Sequence, residues 1–317
     1  MKDSKRIEIF DSTLRDGAQS EGISFSVNDK LNIVKAVDSF GFDYIEAGNP
    51  GSNPKDLDFF NQAAKLELKN AKLCAFGSTA RYGIKPEDDA NIKSLLSANT
   101  PAVAIFGKSW DLHVTQILKI TLENNLSIIE ETVAYLKECG KEVIFDAEHF
   151  FDGYKDNPEY ALKALEAAVK GGADTLALCD TNGGAMPLEV YEITKTVVEK
   201  FPDVKIGIHC HNDTGCAVAN SMMAVEAGAV HVQGTFTGIG ERCGNADLSV
   251  IVPNLKLKKG LNCSGDLENL FDSARKIAEI ANTQIDNSKP YTGSSAFAHK
   301  AGMHIDGVLK LSRSFEH

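Results

Sequence analysis

Two histidines two positions apart, His209 and His211 in IGIHCHND, are the residues whose spacing speaks most directly of chemistry. In an extended strand, side chains at i and i+2 share a face, about 7 Å apart along the backbone, while Cys210 between them points the other way. Two imidazoles so placed can converge on one cation. A single histidine would more often be a packed core residue. The segment DSTLRDGAQ adds an anion, Asp16, beside a fixed positive charge, Arg15. Taken alone, that pair reads better as an ion pair of Arg15 with Asp11 or Asp16. In FDAEHFFDG, Glu148 and Asp146 share a face, and a carboxylate near a metal or an arginine can serve as a general base. In LCDTNGG, Thr181 and Asn182 could hydrogen-bond a carboxylate, helped by the amides of Gly183 and Gly184, although DTNGG is also a plain turn sequence. In FTGIGERCGNADL the glycines permit close backbone approach and Asn245 offers a neutral oxygen to a metal; the alternative is a loop that merely turns the chain. The strand-like run TLALCD holds no lysine, which argues against imine chemistry and leaves metal and electrostatics to stabilise any enolate.

The elements that must position these residues alternate regularly. Eight apolar runs read as strands: IEIF from Ile7, YIEAG from Tyr44, KLCAFG from Lys72, AVAIFG from Ala102, EVIFDAE from Glu142, TLALCD from Thr175, KIGIHCH from Lys205 and VHVQGTF from Val230. Helical patterns such as DKLNIVKAVDSFG and NPEYALKALEAAVKGG lie between them, many starting at Asn, Asp, Thr or Pro and stopping at Gly. Strand starts roughly 25 to 40 residues apart have the spacing of βα units. The expectation is an α/β fold, a (β/α)8 TIM barrel over 1–260, whose strand ends carry the candidate residues. A doubly wound open sheet is the rival, and the G-x-G-x-x-G expected after its first strand is missing. Residues 261–317 depart from the repeat as a helical and loop extension, the start of a further subdomain. There the helix DLENLFDSARKIAEIANTQ precedes a Gly-, Ser- and His-rich loop, NSKPYTGSSAFAHKAGMHIDGVLK, suited to a lid. The chain stops at SRSFEH, which reads as truncated.

With 317 residues and a net charge of -11, the chain has no basic run and is a poor match for nucleic acid or an anionic membrane. It shows no signal peptide and no apolar run of about 18 residues. Seven cysteines without C-x-x-C pairing suit reduced thiols in the cytoplasm. Against this acidic background, an arginine in the site points to an anionic ligand.

DSTLRDGAQ, HCHND, GIGERCGNADL and SAFAHKAGMHIDGVLK, in this order and over nearly the whole chain, resemble the isopropylmalate and homocitrate synthase family of metal-dependent TIM-barrel condensing enzymes. The resemblance implies condensation of acetyl-CoA with a 2-oxo acid, in a cytoplasmic homodimer serving branched-chain amino-acid biosynthesis. IFGKSWDLHV and VIFDAEHFFDGYK point to pyruvate, while members using 2-oxoisovalerate or 2-oxoglutarate share most of the pattern. The resemblance also implies metal ligands at Asp16, His209, His211 and Asn245, and catalytic roles for Arg15, Glu148 and His304. Arg15 and Thr181 would hold the 2-oxo acid, and Gly238, Gly240 and Glu241 the acyl-CoA. His304, beside Asp306, resembles a histidine that reaches the partner subunit's site, where Glu148 would orient it as the base. Zinc, manganese, cobalt or magnesium would suit two imidazoles with oxygen ligands. Lyases running the reverse cleavage, such as hydroxymethylglutaryl-CoA lyase, carry a G-x-G-G-C-P loop where this chain has GIGERCGN around Cys243. A two-His-one-carboxylate iron oxygenase would leave Arg15 unexplained, and a non-catalytic keto-acid sensor would not need Arg15, Glu148 and His304 together.

Overall fold

The computed structural model describes residues 6–311; the terminal SRSFEH segment from residue 312 and most of the MKDSKR start lie outside them. Eight parallel strands close into a barrel in sequence order: β1 (Glu8–Asp11), β2 (Tyr44–Glu46), β3 (Lys72–Ser78), β4 (Ala102–Lys108), β5 (Glu142–Glu148), β6 (Thr175–Asp180), β7 (Lys205–Cys210) and β8 (His231–Gly234), with β8 pairing back to β1. Each of the eight expected runs forms its strand, within a few residues at the ends. Around them run α1 (Val27–Phe40), α2 (Pro54–Ala63), α3 (Ala90–Ser97), α4 (Leu122–Glu138), α5 (Phe150–Asp156), α6 (Pro158–Gly171), α7 (Pro187–Lys200), α8 (Ala217–Glu226), α9 (Leu248–Pro253), α10 (Leu270–Ile280) and α11 (Gly302–Lys310).

Local chemistry sets these boundaries. Ser26 and Asp29 form a reciprocal capping box at the start of α1, and Thr121 and Asn157 cap α4 and α6 through their side chains. Gly41 and Gly172 end α1 and α6 in the left-handed conformation. Alternation then sorts the strands into two faces. Ile9, Ile45, Val103, Phe145, Leu178, Ile208 and Val232 point outward into the core shared with the helices. Phe10, Tyr44, Cys74, Ala104, Ile144 and Ala177 point inward and fill the lower barrel. Helix α10 joins the shared core through buried Ala274 and Ile277, and Ile7 bridges Cys263, so residues just past 260 pack on the barrel itself. Residues 302–310, read from the sequence as loop, form α11. Its two glycines and missing side-chain cap hide the helix from propensity, and Lys310 pairs with Asp306 one turn back. No helix among the described residues is long and apolar enough to cross a membrane.

At the amino-terminal end the barrel interior is closed by charge. Glu8 contacts Lys205 at 2.6 Å and lies 3.5 Å from His231 Nδ1, while the fully buried His231 ring packs between Phe10 and Tyr44. Burial pushes the Glu8 carboxyl upward, but His231 and Lys205 outweigh it and hold the pKa at about 2. A carboxylate depressed on folding stabilises above its unfolded pKa, and that stability is lost as pH falls through the folded value. Glu8→Gln is therefore expected to destabilise the protein at pH 7 by roughly 1.5–3 kcal/mol, as for a hydrogen bond to a charged group. The gap should shrink as pH falls from about 4.5 toward 2. Urea melts of both proteins across that window check this; a gap independent of pH would refute the assignment.

Candidate active site

The loop after β1 is folded tightly enough to aim two consecutive charged side chains inward. The Ser12 carbonyl accepts from the amides of Arg15, Asp16 and Gly17. Buried Asp11 accepts from both the amide and hydroxyl of Thr13, whose oxygen in turn accepts from the Phe236 amide after β8. Arg15 donates through Nε to Glu46 at 2.7 Å and through Nη1 to Asp16 at 3.0 Å, with its guanidinium 4.1 Å above the Phe76 ring. Ser12 donates to the same Glu46 carboxylate. The arginine is thus clamped by two carboxylates, one of them Glu46 at the end of β2, rather than paired with Asp11.

His209, at the end of β7, places Nε2 3.2 Å from Asp16 Oδ2, and His211 places Nε2 3.6 Å from the same atom. The two rings are 5.3 Å apart on one side of the chain, while Cys210 packs outward in the helix-side core. One ligand atom from each of Asp16, His209 and His211 lies within 4.8 Å of the others, and all three residues are buried. Asn245 pairs through its backbone with His211, and both polar atoms of its buried side chain lack a partner, as do Asp16 Oδ1 and His211 Nδ1. Buried polar atoms left unsatisfied are costly. A carboxylate, two imidazoles and a neutral amide oxygen are the donor set a divalent cation takes. Burial raises the Asp16 carboxyl, but Arg15 and His209 override it and hold it well below the usual range. His211 is pushed down to about 4 by burial and by the neighbouring His209, so it is neutral at pH 7 and able to ligate.

Above this cluster opens a cavity of about 250 Å3. Arg15, Asp16, His209 and His211 line it together with Glu148, Thr181 and Glu241, so most of the expected site residues meet in one place. Phe76 and Phe106 stack at 5.5 Å and form its apolar wall. Asp146 also lines it, pushed up to about 7 by burial and by Glu46. Thr181 Oγ1 accepts the His149 amide at 2.9 Å, which leaves its own proton free to be donated. The loop after β8 closes over the rim: the Asn245 amide donates to the Gly238 carbonyl at 3.0 Å, and a Cβ on Gly240 would lie 2.0 Å from Asn245 Nδ2. Glycine at 240 is thus what lets this loop and Asn245 coexist.

One expectation changes, and two others concern a partner subunit. The amides of Gly183 and Gly184 are not open to a ligand, since both turn back onto Asp180, and Asn182 donates to Asp152; these three residues form a turn, while Thr181 lines the cavity. Glu148 is engaged by Lys108 at the end of β4. His304 stands on the exposed α11, its ring 6.0 Å from His299, and does not line the cavity of its own chain. Glu46, Lys108, Phe76, Phe106 and Gln233 were not singled out from the sequence. A polar residue ending an apolar strand run, as in YIE, FGK and VQG, is the one local signal that could have marked three of them.

The model of the HMGL-like family matches residues 6–280. The chain is 58% identical over 316 residues to an (R)-citramalate synthase of Aquifex aeolicus, covering 99% of this chain and 60% of that protein. It is 51% identical over 317 residues to an (R)-citramalate synthase of Sulfolobus acidocaldarius, with the same coverage. The chain therefore spans about three fifths of the length of these curated relatives. Among solved structures, the HMG-CoA lyase of Bacillus subtilis superposes with a TM-score of 0.75 over 89% of this chain and 95% of its own, at 21% identity, a likeness of fold.

Proposed function

The chain belongs to the HMGL-like family, and on that footing we propose that it condenses acetyl-CoA with pyruvate to give (R)-citramalate and CoA. The observation that carries this reading is the convergence of Arg15 and the Asp16–His209–His211 cluster on one small pocket walled by Phe76 and Phe106. The reaction removes a proton from the acetyl methyl, joins that carbon to the ketone carbon of pyruvate, and ends when water hydrolyses the thioester and releases CoA. A divalent ion held by Asp16, His209, His211 and the Asn245 oxygen would supply Lewis acidity to the chelating oxygens of the 2-oxo acid. Zinc, manganese, cobalt and magnesium remain candidates on the donor set.

The chain's own groups do the rest. Arg15 is fixed before substrate arrives, because both of its carboxylate partners are buried, and so offers a preorganised cation to the developing alkoxide. The Thr181 hydroxyl is free to donate to the pyruvate carboxylate. Glu148, held by Lys108 at the rim, orients the base that takes the acetyl proton, and His304 of the partner subunit is that base. The loop of Gly238, Gly240 and Glu241 receives the acyl-CoA. The case for a homodimer rests on α11, where no residue is buried and Met303, Ile305 and Leu309 are exposed, a face that a second copy would cover while bringing in His304.

The aromatic wall bears on the acceptor. Phe76 and Phe106 take up space on the apolar side of the pocket, and on this reading they favour a methyl ketone over an isopropyl one. Phe106→Ala is expected to improve 2-oxoisovalerate relative to pyruvate by about 10- to 100-fold in kcat/KM, the worth of one or two methylenes of space. The proposal itself is tested by following thiol release from acetyl-CoA with manganese or magnesium and each of pyruvate, 2-oxoisovalerate, 2-oxoglutarate or no acceptor. Pyruvate should give the fastest release and no acceptor none. Preference for a larger acid would overturn the choice of substrate, and silence with all of them would overturn the activity.

A further inference from the structure

Gln233 on β8 is fully buried and sits directly beside His209, its Cα partner across the β7–β8 pair. Its side-chain oxygen lies 2.9 Å from His209 Nδ1, and its amide nitrogen donates to Asp146 Oδ1 at 3.0 Å, a residue on β5. A carboxamide has one accepting and one donating end, so whatever fixes one end fixes the other. An ionised Asp146, as at the alkaline pH where the ring is neutral, presents an oxygen that can only accept. The NH2 end of Gln233 must therefore face Asp146, and its oxygen must face His209. The flipped amide would set oxygen against oxygen at Asp146. It would also turn an N–H onto His209 Nδ1, forcing the imidazole proton to Nε2, the atom 3.2 Å from Asp16.

We propose that Gln233, held in one sense by Asp146, is a positioning residue that locks His209 with its proton on Nδ1 and its Nε2 lone pair turned toward Asp16 as a ready metal-ligating atom. The chain Asp146–Gln233–His209 runs from the substrate pocket to the metal cluster through buried groups, and neither Gln233 nor Asp146 ligates. Outer partners of this kind fix ring orientation and tautomer, and their loss typically weakens metal binding about 10- to 100-fold. The inference rests on the metal reading of Asp16, His209 and His211.

Two measurements test it separately. In metal-free protein with 15N-labelled histidine, at a pH alkaline enough to leave the ring neutral, His209 should show the Nδ1–H tautomer in the wild type; an Nε2–H tautomer overturns the proposal without reference to any metal. In manganese titrations, Gln233→Leu should weaken binding about 10- to 100-fold. The same Gln233→Leu substitution should also release the ring, so that His209 in the metal-free variant no longer holds its proton on Nδ1. Wild-type manganese affinity in Gln233→Leu, or an unchanged Nδ1–H tautomer in that variant, overturns the proposal. A wild type that binds none of manganese, zinc, cobalt or magnesium defeats the metal reading itself, and the tautomer measurement then still decides the hydrogen bond.

Discussion

Arg15→Ala is expected to lower kcat/KM for pyruvate by at least about 10²- to 10³-fold, the cost of losing one preorganised donor to a developing oxyanion. It should also destabilise the protein, because Glu46 and Asp16 would be left as neighbouring carboxylates in a buried site. Breaking a buried pair by removing one partner costs about 3–5 kcal/mol. The two effects separate in Arg15→Lys. A lysine keeps the positive charge near the carboxylates, yet an ammonium cannot bind both of them in the forked geometry Arg15 uses or lie flat against Phe76. Arg15→Lys should melt close to the wild type while retaining most of the catalytic loss. Steady-state kinetics and urea melts of both variants check this, and a lysine variant with wild-type kcat would remove Arg15 from the chemistry.

His209→Ala is expected to cut activity about 10³-fold or more, the worth of several kcal/mol of metal-supplied charge stabilisation. It should also abolish stabilisation by metal. A wild type held at a hundredfold excess of manganese over Kd gains about 2.7 kcal/mol, a rise in melting temperature that His209→Ala should not show. A chelator should reproduce the loss in the wild type and reversal should follow on adding the ion back. Equal stabilisation of the two proteins by manganese would mean that the cluster is an ion-pair network only.

Much of this was legible in the sequence because it is local. Each strand carries its own apolar period, and HCHND carries the i, i+2 spacing that points both imidazoles inward whatever the rest of the chain does. Arg15 and Asp16 were legible as neighbours in a polar loop, but their geometry was not, because it depends on Glu46, which reads as just another residue of YIEAG until β1 and β2 pair. Gln233 shows the limit most clearly. Its partner Asp146 is 87 residues away on a strand that meets it only through the closed barrel interior. Gly183 and Gly184 show the opposite error, in which amides that look free in sequence are claimed by Asp180, the first by its backbone carbonyl and the second by its carboxylate, and a Gly183 at φ +61 serves the turn. Lys108 was invisible for the same reason as Glu46: register across β4 and β5 sets it beside Glu148.

The condensation itself is tested most directly by isotope. With trideuterated acetyl-CoA, pyruvate and a divalent ion, loss of one methyl deuteron and formation of one carbon–carbon bond should give citramalate carrying two deuterons, of R configuration, in equal amount to the CoA released. Free acetate retaining all three deuterons, with no five-carbon acid formed, would show thioester hydrolysis without condensation and contradict the account.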